Sequence, residues 1–192
     1  TLGMDAHSMT FEQKGVALRT DVPPRIFNVT QWPNLLNLYR EVGVAFDPID
    51  PSQSFCLIGQ PNFLNVDIAY QPQVPDGSEI TEQLNQIMND IARLALGASQ
   101  DLADGLSVQT TLADYLQRQD YSQAFITDFL YPILASTVCT CSYDSLSAYP
   151  APVILETLLN LFGAQPLLRT KYGTQDVVRR LSRGIDDIRY GT

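Results

Sequence analysis

The chain has 192 residues, and its 21 Asp and Glu against 12 Lys and Arg give a formal net charge of −9 at pH 7. Apolar residues make up 45% and charged residues 17%, which is typical of a globular protein and excludes wholesale disorder. The acidic balance argues against a nucleic-acid partner, and no apolar run reaches the roughly 18 residues of a membrane-spanning helix.

The first third of the chain is predicted to be mostly extended. Residues 8–11 and 16–19 favour the two strands of a hairpin, because the turn sequence Gln13-Lys14-Gly15 separates them. One helix begins at Pro33, which suits a first helical turn, and ends at Gly43. Further short strands are predicted at residues 44–46, 54–58 and 63–68.

From Ser78 onward, apolar residues recur at helical spacing. Ser78 is predicted to cap a helix that ends near Gly97, and Thr111 and Ser122 are predicted to cap two more. Pro132 lies inside the third of these helices and is predicted to kink it or split it. The aromatic residues of this region are predicted to lie in the core; they are Tyr115, Tyr121, Phe125, Phe129 and Tyr131.

The last part of the chain continues this helical pattern. A helix is predicted between Pro150 and Gly163, another is predicted to be capped by Thr174, and residues 188–190 are predicted to form a terminal strand. A solvated basic face is predicted on the last helix, formed by Arg179, Arg180 and Arg183. Together these elements predict an α+β fold: small antiparallel strands and a predominantly helical domain, lacking the Rossmann fingerprint G-x-G-x-x-G.

Histidine and cysteine usage limits the chemistry that the chain can support. His7 is the only histidine, so no metal site is assigned, and a hydrogen-bonding role for His7 is favoured over a role as general base. Three cysteines do not make a disulfide framework, and we expect buried or half-buried thiols at Cys56, Cys139 and Cys141. A reducing compartment, and hence a cytoplasmic location, is therefore expected.

Six segments follow one another in an order typical of one family. Residues 2–8 (LGMDAHS) are similar to L-G-G-[HR]-x-H-[ST], and residues 19–28 (RTDVPPRIFN) with WPNL are similar to V-D-x-[GP]-x-x-[VA]-F-N…[YW]-P-[NH]-L. The next three segments are SQSF (residues 52–55), YSQAF…FLYP and YPA. The last segment, residues 169–178 (RTKYGTQDVV), is similar to R-V-x-G-G-x-Q-x-V-V. The chain thereby resembles the flavin-dependent amine oxidase superfamily, in particular its predicted NAD/FAD-binding, amine-oxidase-like proteins.

The resemblance implies that the chain is the middle of a longer FAD-dependent oxidoreductase, which transfers a hydride from a substrate carbon to the flavin. It implies that the positions nearest the FAD are Gly3, Asp21, Arg25 and Gly173. The expected partners are the remainder of the flavoprotein chain and a small-molecule substrate, either an amine or an apolar compound. The resemblance identifies no catalytic residue, since Lys171 does not match the family's lysine motif, and the isolated chain is expected to be inactive and not to bind FAD.

The same resemblance implies three regions. Residues 1–77 would be strand-rich and adjacent to the cofactor, residues 78–168 would be the helical substrate-side region, and residues 169–192 would return toward the cofactor domain. The wide apolar helical faces of the second region are expected to roof the substrate pocket.

The sequence departs from the family pattern at several positions. Met4, Pro23 and Tyr172 stand where the pattern has glycine, and Asp5 stands where it has Arg or His. These departures favour the alternative hypothesis, a non-catalytic helical binding domain of a degenerate flavoprotein relative. A third hypothesis is an α+β domain with no site of its own. A strand followed by G-x-G-x-x-G upstream of Thr1 would discriminate in favour of the enzyme.

Overall fold

The computed structural model describes residues 7–22, 25–49, 52–56, 62–66, 72–76, 81–137, 142–162 and 166–189. The chain divides into two compact units. Residues 1–50 and 165–192 form the first, which we call the discontinuous unit, and residues 51–164 form the second, the helical unit. The three-region division inferred from the sequence, with boundaries after residues 77 and 168, stays a prediction.

The strands are β1 (His7–Gln13), β2 (Val16–Val22), β3 (Phe46–Pro48), β4 (Gln53–Cys56), β5 (Asn62–Val66), β6 (Pro72–Gln73) and β7 (Leu168–Thr170). The helices are α1 (Pro33–Glu41), α2 (Glu82–Ala103), α3 (Leu112–Arg118), α4 (Tyr131–Thr137), α5 (Tyr143–Ser147), α6 (Ala151–Phe162) and α7 (Thr174–Leu181). A π-helical segment, Phe125–Leu130, leads directly into α4. The fold is α+β, as predicted, and its sheets are small and antiparallel.

In the discontinuous unit, β1 and β2 form the predicted hairpin. All seven residues of each strand are paired, so the strands are longer than the sequence indicated. Lys14 and Gly15 have φ angles of 52° and 75°, the left-handed conformation that a two-residue hairpin turn requires. The hairpin register places Ser8, Thr10, Arg19 and Asp21 on one face, because side chains alternate along a strand.

The core of the discontinuous unit is built around Phe27. Its ring makes edge contacts with Tyr39 of α1 and Phe46 of β3, each at a centroid distance of 5.8 Å. Its backbone exchanges two hydrogen bonds with Leu168, at 3.0 and 2.8 Å. β3 pairs with β7 beside it. β3 lies two residues later than predicted, and β7 was not predicted because three residues are too few to show alternation.

The helical unit contains most of the large buried side chains. β4, β5 and β6 form a three-stranded antiparallel sheet, and α2 packs against α6. Tyr115, Phe125, Phe129 and Tyr131 are buried, and Tyr121 packs against the same core. The prediction that these aromatic side chains lie in the core is therefore confirmed.

The limits of α2 differ from those that the sequence indicated. The Thr81 hydroxyl accepts a hydrogen bond from the N–H of Leu84 at 3.1 Å, so Thr81 is the cap, and Ser78 lies outside the described residues. The predicted end near Gly97 was wrong, because α2 continues to Ala103. A glycine inside a helix costs only about 1 kcal/mol relative to alanine, so it does not by itself end a helix, and the next residue, Ala98, is buried.

Caps at Thr111 and Ser122 are confirmed by hydrogen bonds from the N–H groups three residues later. The irregularity expected at Pro132 is found just before that residue, where the π-helical segment ends at Leu130. Pro132 has no N–H to donate to a carbonyl of the preceding turn, and the wider π-helical turn accommodates the missing hydrogen bond without ending the helix.

Two further predictions concern chain segments at helix ends. Ile188 and Arg189 have no strand conformation, and Tyr190 lies outside the described residues, so the predicted terminal strand was wrong in its described part. Gly163, the expected helix end, also lies outside the described residues, and α6 ends at Phe162. In the described ranges, no helix combines the length and the apolar character needed to cross a membrane.

Candidate functional site

Two of the sequence-predicted site residues, Asp21 and Gly173, meet at the N-terminus of α7. Asp21 Oδ1 accepts hydrogen bonds from the N–H of Thr174 at 2.8 Å and from the Ser8 hydroxyl at 2.5 Å. The Ser8 oxygen accepts a bond in turn from the N–H of Gln175 at 3.1 Å. We call these five residues the α7 junction. It joins β1, β2 and α7 through groups that are distant in sequence.

Gly173 is required by the junction itself. Its φ of 80° and ψ of 164° lie in a region that essentially only glycine adopts. A Cβ at this position would lie 2.5 Å from Ser8 Oγ and 2.9 Å from Asp21 Oδ1. The space beside Gly173 is thus filled by this chain's own side chains. Contact of Gly173 with a cofactor stays a prediction.

The prediction that Thr174 caps α7 was wrong. Gly173 occupies the N-cap position, Thr174 is the first helical residue, and the side-chain acceptor comes from Asp21 in β2. Capping rules use only the residues next to a helix in the sequence, so they could not identify a capping side chain from a distant strand. The Thr174 hydroxyl is buried and has no hydrogen-bond partner within the described residues.

The other two predicted site residues are less informative. Gly3 lies outside the described residues. Arg25 lies near Tyr39, whose pKa is raised above its ordinary value by burial; the charge of Arg25 opposes this rise and the charge of Asp21 adds to it. Asp21 and Arg25 therefore act on the same tyrosine hydroxyl.

A buried carboxylate, Asp176, holds two arginines of α7, and one of them, Arg180, connects α7 to the residues that follow α1. Arg180 Nε donates to Asp176 Oδ2 at 2.6 Å, and Arg179 pairs with Asp176 Oδ1. The Arg180 guanidinium also donates to the carbonyls of Val42 and Gly43, at 3.3 and 2.8 Å. The expected solvated basic face is therefore wrong for Arg180, whose side chain is only 21% exposed.

The protonation of Asp176 follows from these contacts. Burial raises the pKa of Asp176, but hydrogen bonds from Arg180 and Arg179, together with their charges, outweigh this and hold the pKa below its ordinary value. Asp176 is therefore ionised at neutral pH and provides structural support for α7. The spacing of Asp176 to Arg179 and Arg180, i, i+3 and i, i+4, is a local signal that could have indicated these ion pairs, whereas the burial of the carboxylate depends on the fold.

An open groove of about 620 Å³ lies within the discontinuous unit, between the polar face of the hairpin and α7. We call it the arginine groove, and its lining residues are Thr10, Arg19, Tyr172, Gln175, Asp176, Val178, Arg179 and Ser182. Arg19 donates to Thr10 Oγ1 at 2.7 Å and to Gln175 Oε1 at 3.3 Å. The hairpin and α7 are thus bridged across the groove.

A smaller cleft of about 340 Å³ lies within the helical unit. Asp101 Oδ2 accepts hydrogen bonds there from the Tyr115 hydroxyl at 2.7 Å and from Gln119 Nε2 at 3.3 Å. Asp104 and Arg118 also line the cleft. Burial, followed by the bond to Asp101, raises the pKa of Tyr115 far above its ordinary value, so this hydroxyl is a donor at every physiological pH.

The apolar helical faces were expected to roof the substrate pocket, and this stays a prediction. In the structure many of their side chains pack against one another as the core of the helical unit, and the residues that line the cleft in that unit are mostly polar. A second buried carboxylate, Asp90, is also structural: it accepts from Arg93 at 2.6 Å and from the N–H of Ser122 at 2.8 Å. The Arg93 guanidinium lies 4.7 Å from the centroid of the Tyr121 ring.

The described residues contain no group of three or more His, Cys, Asp or Glu arranged to hold a metal ion. Cys56 is an exposed free thiol, which corrects the expectation of a buried or half-buried one, because it lies on the outer face of β4 next to the buried Phe55. Cys139 and Cys141 lie outside the described residues.

No protein-family model matches the sequence. No curated protein matches it either, so the family resemblance stays a prediction.

Proposed function

We propose that this chain is the substrate-side portion of an FAD-dependent, amine-oxidase-like oxidoreductase. The observation that carries the proposal is the α7 junction. Residues 19–28 and 169–178 resemble two of the family's motifs and are distant in sequence, yet they meet through the bond between Asp21 and Thr174. Chance resemblances have no physical reason to be neighbours in the fold. When bound, FAD would accept the hydride released by the substrate carbon.

The α7 junction fits a framework for the cofactor better than it fits a phosphate cradle. The N–H groups of Thr174 and Gln175 already bond to Asp21 and Ser8, so they do not remain for a pyrophosphate. Asp21 Oδ2 has no hydrogen-bond partner in the described part of the chain and can accept one from a cofactor hydroxyl. We therefore expect the isolated chain not to bind FAD, with the remainder of the flavoprotein chain holding it.

Of the two substrate classes that the sequence left open, an amine is favoured over an apolar compound. Most of the large apolar side chains of the helical unit are buried in its core, whereas its cleft is lined by two carboxylates, Asp101 and Asp104, and one cation, Arg118. Carboxylates attract an ammonium group, and Asp101 Oδ1 has no hydrogen-bond partner among the described residues.

A second candidate function is a non-catalytic helical binding domain of a degenerate flavoprotein relative. The observation that favours it is Tyr172, which replaces a glycine of the family pattern immediately before Gly173 and is 53% exposed. An exposed aromatic ring there takes space that a glycine would leave for a close backbone approach. Such a domain would keep the α7 junction for stability alone.

The experiment that separates the two is an absorbance spectrum of the complete protein that contains this chain, purified and gel-filtered. If the protein is the enzyme, we expect the visible absorbance bands of an oxidised flavin and their bleaching by an amine under anaerobic conditions. A folded, colourless protein that added FAD cannot reconstitute would contradict the enzyme and support the binding domain.

Matched variants sharpen this test. Asp21→Asn keeps an acceptor oxygen for the N–H of Thr174, so the junction should survive while the charge at Oδ2 is lost. The control is Asp47→Asn, because Asp47 is partly exposed and pairs only loosely with Lys171 at 3.8 Å. Reduced flavin content in Asp21→Asn alone, with unchanged thermal stability, is the expected result; equal flavin content in both variants would contradict a cofactor role for Asp21.

A further inference from the structure

We propose that the arginine groove binds an organic anion, with its phosphate or carboxylate group held by Arg19 and Arg179 and its body lying against Tyr172. The site goes beyond the proposed flavin chemistry and does not depend on it. It lies wholly within the discontinuous unit, so one folded unit carries all of its lining residues.

Arg19 is a cation with neutral partners. Its two hydrogen bonds go to the Thr10 hydroxyl and to the Gln175 amide oxygen, and no carboxylate pairs with it within the described residues. A guanidinium has five N–H donors, so at least three remain for a ligand. The same two bonds hold the guanidinium in place, which lowers the entropy lost when an anion binds.

Arg179 adds a second cation. It shares the single carboxylate of Asp176 with Arg180, so three charges sum to one net positive charge at this end of α7. The Arg179 side chain is 71% exposed and therefore accessible from the groove. Among the residues that line the groove, the two cations Arg19 and Arg179 outnumber the one carboxylate, Asp176, although the net charge of the chain is −9; this favours a small anion over an acidic protein surface.

The remaining lining residues suit the body of such a ligand. Gln175, Val178, Arg179 and Ser182 follow the i, i+3, i+4, i+7 spacing, which places them on one face of the helical path. The exposed Tyr172 ring offers a planar apolar surface beside the cations. A volume of about 620 Å³ accommodates a small organic molecule.

The test uses the 192-residue chain, isotopically labelled, and four probes: phenyl phosphate, benzoate, inorganic phosphate and benzyl alcohol. Titrations are followed by two-dimensional amide NMR. We expect saturable shifts at Thr10, Gln175 and Ser182 with phenyl phosphate or benzoate, weaker binding of inorganic phosphate, and none of benzyl alcohol. The stronger of the first two identifies the preferred anionic group. Affinity should fall as salt is added, because the cations are exposed.

Charge-removing variants complete the test. Arg19→Gln and Arg179→Gln should each weaken binding about tenfold or more, since each removes a charge-assisted hydrogen bond. Arg183→Gln is the control, because Arg183 is exposed on the same segment and does not line the groove. Unchanged Trp32 fluorescence verifies that each variant is folded. If Arg179→Gln disturbs α7, the result for Arg19→Gln alone decides whether the groove binds the anion. Non-saturable binding of both charged aromatic probes, or equal affinity in Arg19→Gln and Arg183→Gln, would overturn the proposal.

Discussion

Replacement of Gly173 by alanine is the most direct test of the α7 junction. The positive φ with extended ψ costs any other residue on the order of 1–3 kcal/mol. The added methyl would also lie 2.8 Å from Ser8 Cβ and 2.9 Å from Asp21 Oδ1, so both side chains must move. Loss of their bonds to the α7 N-terminus adds about 0.5–2 kcal/mol, the ordinary value of a helix cap. We expect Gly173→Ala to lower the free energy of unfolding by about 2–5 kcal/mol.

Gly184→Ala is the matched control, because Gly184 has nearly the same φ, 83°, with nothing within 4 Å of its Cβ position. It should cost about 1 kcal/mol, from backbone strain alone. The assay is urea unfolding followed by the fluorescence of Trp32, the single tryptophan, which belongs to the discontinuous unit. With a slope of about 2 kcal/mol per M, the Gly173→Ala midpoint should fall by about 1–2.5 M. Equal midpoints for the two variants would refute the close contact with Ser8 and Asp21.

Three other substitutions test single groups. The folded pKa of Asp176 lies below 3.8, so the stabilising effect of its ionised carboxylate is complete above that pH and is lost as the pH falls through the lower folded value. Asp176→Asn should therefore be less stable at pH 7, and its stability should depend less on pH in acid. Urea midpoints at pH 7 and below pH 3.8 measure this, and an unchanged pH profile would contradict the ion pairs. Thr174→Val removes a buried, unpartnered hydroxyl and should leave thermal stability unchanged or raised by about 1 kcal/mol, whereas a clear loss would reveal a partner. Tyr115→Phe removes the donor to Asp101 and should cost about 0.5–1.5 kcal/mol in chemical unfolding below pH 10. Because the folded pKa of Tyr115 is raised, that contribution is complete below pH 10 and is lost as the pH rises further, so the stability of the two proteins should converge in alkali.

The sequence predicted those parts of the fold that local rules determine. The β1–β2 hairpin follows from its turn, and the caps at Thr111 and Ser122 follow from a hydroxyl placed before an apolar helical pattern. β7 could not be predicted, since its three residues become a strand only by pairing with β3. The continuation of α2 through Gly97 was missed for a similar reason, because burial of Ala98 depends on tertiary contacts.

The candidate site likewise has a part that the sequence could predict and a part that depends on the fold. The resemblance selected Asp21 and Gly173, but their contact depends on a fold that brings β2 to the start of α7. No local signal marks Ser8, because its partners are supplied by distant segments. Asp176 does have the i, i+3 and i, i+4 spacing to Arg179 and Arg180, but its burial depends on tertiary packing. The arginine groove has no sequence signature at all, since Arg19 and Arg179 are brought to one groove only by the packing of the hairpin on α7.

The α7 junction also determines how a cofactor role for Asp21 must be understood. One carboxylate oxygen already satisfies the first N–H of a helix and a serine hydroxyl, so Asp21 is fixed in position before any ligand arrives. A fixed carboxylate loses little entropy on accepting a further bond at Oδ2, which is the property that a polar contact in a binding site needs. The same bonds make Asp21 contribute to the stability of the fold, so its substitution by alanine would confound stability with binding. A role in binding is therefore separable only by the isosteric asparagine, which keeps the cap and removes the charge.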